Sequence, residues 1–299
     1  MPKKPLNKKK SKDLHPRNLH NRAYDFVALV DVSPRLKSFV RDNGHGQLSI
    51  DFANSQAVIE LNKALLNYHY KIVDWNIPQG ALCPPIPGRV DYIHYAADLI
   101  GEKAKVRMLD LGIGANGIYA LLAAQIYGWE CIGSDINQES LHNVSAILQK
   151  NPQLAISLRH QPDKNCMFKN IISEGEFFDI TVCNPPFHES AEEARKGSLR
   201  KMKNLAKNRG EKMLDSKLNF GGQANELWCK GGERLFLKKM IKESKDFAKQ
   251  CHWFTSLVSK SENLAPSKKL IAKLGAKDIR VIEMKQGNKI TRILAWTYS

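Results

Sequence analysis

The chain has 299 residues, 42% of them hydrophobic and 25% charged, which suits one large α/β domain with an added segment, or two domains, and excludes global disorder. Forty-six Lys and Arg against 30 Asp and Glu leave a net charge of +16, pointing to a polyanionic partner such as a nucleic acid or an anionic surface. Six scattered cysteines, with no C-x-x-C pair and no histidine at zinc spacing, argue against a zinc module and read as buried thiols in a reducing compartment, so no metal is expected.

Residues 1–22 hold eight Lys or Arg against one Asp and are expected to be a basic flexible tail. This opening lacks the apolar run of a secretory signal, and nothing downstream is long enough to span a bilayer, so the expected location is the cytoplasm, as for a bacterial-style cytosolic protein, or else the nucleus, away from membranes. From Tyr24, "YDFVALVDVSPRLKSFV" places apolar residues at helical spacing around Pro34, and "SQAVIELNKALLNYHY" continues as a helix. Together they predict an N-terminal helical extension over 23–87.

"LCPPIPGRV" reads as a rigid, extended connector, because three prolines restrict themselves and the residues before them. "DYIHYAADLI" follows as an amphipathic helix. The pattern then becomes regular, with "VRMLDLG", "WECIGSDI", "AISLRHQ" and "FFDITVCN" as strands and "NGIYALLAAQIYG" and "NQESLHNVSAILQKN" as helices between them. Such alternation implies βαβ units and a parallel sheet, here within an α/β domain over 88–299. Residues 189–232 interrupt it as a long polar insertion, of a kind that is usually functional. "ERLFLKKMIKESKDFAKQ" resumes as a helix, "CHWFTSLVS" as a strand, and "DIRVIEMKQGNKITRILAWTYS" as two strands joined by a hairpin turn at "QGNK".

In "LDLGIGANG" a strand runs into Gly112, Gly114 and Gly117 and then a helix, so a ligand over this turn would meet helix N-terminal N–H groups. Asp135 ends the next strand about twenty residues later, where an acid accepts hydrogen bonds from ribose hydroxyls. The glycines would also serve helix-to-strand packing alone, and their spacing permits NAD. Asp110 beside the turn disfavours a pyrophosphate and suits a cationic amino-acid ligand such as S-adenosylmethionine.

"CNPPF" follows the fourth strand of the sheet and would face the same crevice. The Asn184 side-chain oxygen and the Pro185 carbonyl would accept both hydrogens of an adenine amine and turn its lone pair outward, so that positioning and electrostatics carry the reaction. Pro186 stiffens the turn, and Phe187 offers a face on which a flipped base stacks. The competing reading is a strand end with Phe187 in the core.

"LDLGIGANGIYALLA", "GSDIN" and "CNPPF" together resemble the class I S-adenosylmethionine-dependent amino methyltransferases. "LHPRNLHNRAYDFVAL", "LCPPIPGRVDYIHYAADLI" and "NFGGQANELWCKGGE" narrow the resemblance to the bacterial 23S rRNA (adenine(1618)-N6)-methyltransferase family, which is similar to the eukaryotic enzymes that methylate U6 small nuclear RNA. The resemblance implies a Rossmann-like fold with a seven-stranded, mostly parallel sheet ending in an antiparallel hairpin. It also implies S-adenosyl-L-methionine as cofactor, adenine N6 as methyl acceptor, and 23S rRNA or a large-subunit assembly intermediate as partner; a monomer is expected, though the sequence does not fix the oligomeric state. Carried over by residue, Arg89 would engage the cofactor carboxylate, Asp110, Gly112 and Gly114 would lie at the cofactor, and Asp135 would hold its ribose. Asn184, Pro185, Pro186 and Phe187 would hold the target adenine, and "DKNCMF" at 163–168 would border the cofactor adenine.

Nine Lys or Arg and two acids between Arg195 and Lys217 place basic charge just beyond that strand, where it would contact phosphates. Two other readings share these motifs: a protein glutamine N5-methyltransferase, and an RNA-binding protein with an inactive methyltransferase fold. The basic tail and "HPRN" count against the first, and Asp135 with Asn184 against the second.

Overall fold

A computed structural model describes residues 14–44, 46–186, 229, 231–286 and 289–299. The first folded layer comprises α1 (Phe26–Val32), a 3₁₀ turn at Pro34–Phe39, a short hairpin of β1 (Val40–Asp42) and β2 (Leu48–Ile50), and α2 (Ser55–Tyr70). Asp25 and Asn54 cap the two helices through their side chains. Phe26, Leu29 and Leu36 pack on Ala57, Leu61 and Leu65 of α2. The last turn of α2 then joins the main core through Leu66 and Tyr70.

The main body follows with α3 (Ile86–Ile100), β3 (Arg107–Leu111), α4 (Ile118–Tyr127), β4 (Glu130–Asp135), α5 (Gln138–Lys150), β5 (Ile156–His160) and β6 (Phe178–Cys183). It closes with α6 (Gly232–Ser244), β7 (Cys251–Val258), α7 (Leu264–Lys273), β8 (Asp278–Gln286) and β9 (Lys289–Thr297). The seven strands β3 to β9 form one sheet in the order β5-β4-β3-β6-β7-β9-β8, parallel from β5 to β7, with β9 antiparallel to both neighbours. This is the expected mostly parallel sheet with its C-terminal hairpin; the turn residues Gly287 and Asn288 lie outside the described residues.

Helices cover both faces, which is why β6, "FDITVC", is buried at every position instead of alternating. Met108, Cys131, Ile180 and Val182 pack toward α3, α4 and α5, while Leu109, Leu111 and Ile132 pack toward α6 and α7.

The structure differs from expectation at several elements. Within "LCPPIPGRV" only the first residues are extended, because α3 already begins at Ile86. Pro87 fits its first turn, where no intrahelical N–H donor is required. The hairpin β1–β2 and the helix α7 carry no sequence signal that predicted them. Of the basic opening, residues 1–13 lie outside the described residues, whereas Leu14, His15, Asn18 and His20 are buried. The His15 backbone N–H donates to Asp91 Oδ1 at 3.0 Å and the Asn18 amide to the Pro87 carbonyl at 2.9 Å, so this stretch clasps the start of α3. The insertion at 189–232 falls largely outside the described residues.

The chain leaves β3 on one side to build β4 and β5, then returns to place β6 on the other. That reversal makes a crevice at the carboxyl ends of β3 and β6, where ligands bind in open α/β sheets.

Candidate active site

Leu111 pairs in register with Ser134 on one side and Cys183 on the other. The residues that follow these three, Gly112, Asp135 and Asn184, therefore leave the sheet side by side. Gly112, Gly114 and Gly117 have φ of +70°, +61° and +60°, a region that favours glycine. The backbone N–H groups of Gly112 and Ile113 both donate to the Ser134 carbonyl at 2.9 Å, pinning the turn to β4. A Cβ at Gly112 would meet no other atom within 4 Å, whereas one at Gly117 would lie 3.1 Å from Val144 Cγ1. The two glycines thus divide the roles left open by sequence: Gly112 keeps an open face, and Gly117 lets α4 approach α5.

A cavity of about 690 Å³ opens over this turn, lined among others by Arg89, Gly112, Gly114, Asp135, Asn184 and Pro186. Lys164, Asn165, Cys166 and Met167, from the 163–168 segment, border it as well. Asp110 and Pro185 are not in its lining; both are buried against it. Phe187 lies outside the described residues. Among the described residues no group of three His, Cys, Asp or Glu is placed to hold a metal ion.

The Asp135 carboxylate is held by two backbone donors, Gly114 N–H on Oδ2 and Asn137 N–H on Oδ1, each at 2.8 Å. These bonds orient the carboxylate at the edge of the cavity it lines. Arg89, from the first turn of α3, donates to the Tyr119 hydroxyl and sits over its ring at 5.2 Å. Its Nε is buried without a hydrogen-bond partner. Burial pushes the Tyr119 hydroxyl up to about 12, so it meets Arg89 as a neutral acceptor. Tyr119 was not anticipated; the available signal was an aromatic in the first turn of the helix after the glycine loop.

Asp110 is 1% exposed and neither of its oxygens has a hydrogen-bond partner at normal geometry. Burial pushes its carboxyl up to about 7; the Ala120 backbone N–H and the Arg89 charge offset this in part, and the Asp135 charge adds to it. Asn184 Oδ1 is buried and likewise unpaired. A buried donor or acceptor left unmade costs about 1–3 kcal/mol, and here such groups occur on Arg89 and Asn184, which line the cavity, and on Asp110, two residues before Gly112.

This donor set fits an amino acid joined to a nucleoside. The guanidinium suits a carboxylate, the Asp110 carboxyl a cation, and Asp135 vicinal hydroxyls, while Asn184 remains as an acceptor for a second molecule.

Known proteins carry the same architecture. The chain is 58% identical over 309 residues to the ribosomal RNA large subunit methyltransferase F of Saccharophagus degradans, covering 97% of each chain. It is 57% identical to the protein of the same name from Shewanella baltica, over 96% of this chain and 81% of that one. Among solved structures, the hMettl16 catalytic domain in complex with the MAT2A 3'UTR hairpin 1 superposes with a TM-score of 0.82 at 29% identity, over 96% of both chains. The N-terminal domain of human METTL16 in complex with SAH superposes with a TM-score of 0.75 at 26% identity, over 96% of this chain and 99% of that one. A family model described as RNA methyltransferase matches residues 8–299, and the chain, with its glycine turn, buried Asp110 and Asn-Pro-Pro strand end, belongs to that RNA methyltransferase family.

Proposed function

We propose that the protein methylates the N6 amine of one adenine in the 23S rRNA of the large ribosomal subunit or of an assembly intermediate. The observation that carries this reading is the buried, unpaired Asn184 Oδ1 at the end of β6, beside the glycine turn. The names of the bacterial relatives support large-subunit rRNA as the substrate class. When bound, S-adenosylmethionine supplies an electrophilic methyl group on a sulfonium.

The chain's own residues do the rest. Arg89 takes the cofactor carboxylate, with Tyr119 fixing its orientation; Asp110 faces the cationic amino-acid end; Gly112 and Gly114 allow close approach; Asp135 takes the ribose. An adenine amine is a weak nucleophile because its lone pair is delocalised into the ring. Asn184 Oδ1 and the Pro185 carbonyl accept its two hydrogens, which favours the pyramidal nitrogen whose lone pair points outward. Pro186 stiffens that turn, and Phe187 stacks on the base. The basic opening 1–22, the helical extension 23–87 and the methyltransferase domain 88–299 act as one cytoplasmic monomer.

The test supplies labelled S-adenosylmethionine with naked 23S rRNA, assembled large subunits and a release factor, then locates the label. Label as N6-methyladenosine in rRNA is expected; label on the protein, or none on RNA, overturns the reading. Asn184→Ala is expected to lose methyl transfer by roughly 100-fold or more while still binding the cofactor, and full activity would remove Asn184 from this role.

A further inference from the structure

The ladder between β6 and β7 pairs Phe178 with Cys251, Ile180 with Trp253 and Thr181 with Phe254, and stops there. Its continuation would set Thr255 opposite Val182 and bring the Thr255 carbonyl to the Cys183 N–H. Instead, the Cys183 N–H donates to the hydroxyl of Tyr92, at 3.3 Å. The Thr255 hydroxyl lies 2.7 Å from that same Tyr92 oxygen and donates to the Thr181 carbonyl at 2.6 Å. Two side-chain hydroxyls therefore stand where the next backbone rung would be.

The chain of bonds has one consistent direction. A carbonyl only accepts, so the Thr255 proton is committed to Thr181; Tyr92 must then donate to Thr255 Oγ1, and its oxygen accepts from Cys183. Tyr92, Thr181 and Thr255 are fully buried, and burial, first among the causes, raises the Tyr92 hydroxyl well above its ordinary value. No water is needed to complete the set. In such surroundings each bond is expensive to lose, because the partner is left unpaired.

The residue after Cys183 is Asn184. Tyr92 also lies three residues beyond Arg89, on the same face of α3, and its ring meets that of Tyr119 edge-on at 5.2 Å. One helix face thus supplies the guanidinium of the cavity and the hydroxyl that holds the end of β6.

We propose that Tyr92 and Thr255 are positioning residues for methyl transfer: their hydroxyls replace a rung between β6 and β7 and so hold Asn184 where an acceptor amine meets it. The inference rests on the proposed role of Asn184. It predicts that removing either hydroxyl slows the chemical step without loosening the cofactor, since neither group lines the cavity.

The experiment compares Tyr92→Phe, Thr255→Val and Thr255→Ser with the parent chain in single-turnover methyl transfer at saturating S-adenosylmethionine and rRNA. Cofactor affinity, thermal midpoint and exchange of the Cys183 amide proton are measured on the same samples. Tyr92→Phe and Thr255→Val are expected to lose roughly 10- to 100-fold in rate, to exchange the Cys183 amide faster, and to bind the cofactor as the parent does. Thr255→Ser keeps its hydroxyl and should keep the rate. A merely structural role would lower the midpoint and leave the rate constant unchanged below unfolding. A parental rate in Tyr92→Phe, with Asn184→Ala inactive, overturns the positioning role; should Tyr92→Phe not fold, Thr255→Val decides by the same measure. Activity in Asn184→Ala would instead sink the reading of the site, and with it any positioning role; the exchange measurement would then decide whether the hydroxyl rung itself exists, unchanged protection of Cys183 in Tyr92→Phe excluding it.

Discussion

Burial holds the Asp110 carboxyl near pH 7, above its ordinary 3.8. Between those values the folded chain keeps a proton that the unfolded chain has released. Linkage then requires that this group's contribution to stability, present at low pH, be lost as pH rises from about 4 through about 7. The displacement corresponds to at most about 4 kcal/mol. Asp110→Asn keeps the shape and removes the titration. Its stability relative to the parent chain is therefore expected to rise through that window and level off above it, measured by urea unfolding from about pH 4 to about pH 8. A difference that stays flat with pH would mean that Asp110 is ionised throughout. The sequence already marked Asp110 as an acid facing a cationic ligand; its burial was not legible, because the acid sits within "MLDLG" and nothing local says which neighbours surround it. Tyr92 and Tyr119 were missed for a related reason. One lies in the amphipathic helix "VDYIHYAADLI" and the other in the apolar helix "IYALLAAQIY", where an aromatic reads as packing, and only the fold shows what its hydroxyl reaches.

At the scale of elements, the alternation from β3 to β6 was legible because strands and helices differ in period and each was punctuated by glycine or asparagine. The three-residue strands β1 and β2 are too short to carry a period. The start of α3 was misplaced since proline signals a helix's first turn as readily as a connector. What no local pattern announces is how the extension is tied to the glycine turn. Asn151, fully buried at the C-cap of α5, accepts from the Val73 N–H at 2.9 Å and donates to the Val73 carbonyl at 2.9 Å and to the Ile147 carbonyl at 2.8 Å. Two residues on, Trp75 Nε1 donates to the Asn116 carbonyl at 2.8 Å, and Asn143 bridges the carbonyls of Asn76 and Ala115 at 3.0 and 2.7 Å. The segment leaving α2 therefore braces the backbone between Gly114 and Gly117. Asn151→Ala removes the first of these anchors and leaves Val73 unpaired on both sides. A loss of about 1–3 kcal/mol is expected in denaturant unfolding, together with weaker cofactor binding; unchanged stability would show that solvent replaces the clamp without cost.

For the whole molecule, charge and site belong to one problem: a net +16 draws a polyanion to the surface, while a few buried groups select what reacts. Residues 14–18 dock on α3 through Asp91 and Pro87, and Pro87 is two positions from Arg89 at the cavity. The six lysines and one aspartate of residues 1–13 directly precede this docked stretch. Removing them lowers the net charge by five without touching the clasp or the core. The truncated chain is expected to bind S-adenosylmethionine and to unfold as the parent does, but to bind rRNA more weakly at low salt. Each phosphate neutralised on a single strand adds about 0.7 to the slope of log affinity against log salt, so the slope should fall by up to about 4 if all six lysines make contact. A slope equal to the parent's would assign the tail to solubility and leave RNA capture to the basic run between Arg195 and Lys217. Since ions screen such contacts within about 10 Å, the two chains are also expected to converge in affinity at high salt, where only the buried site still discriminates.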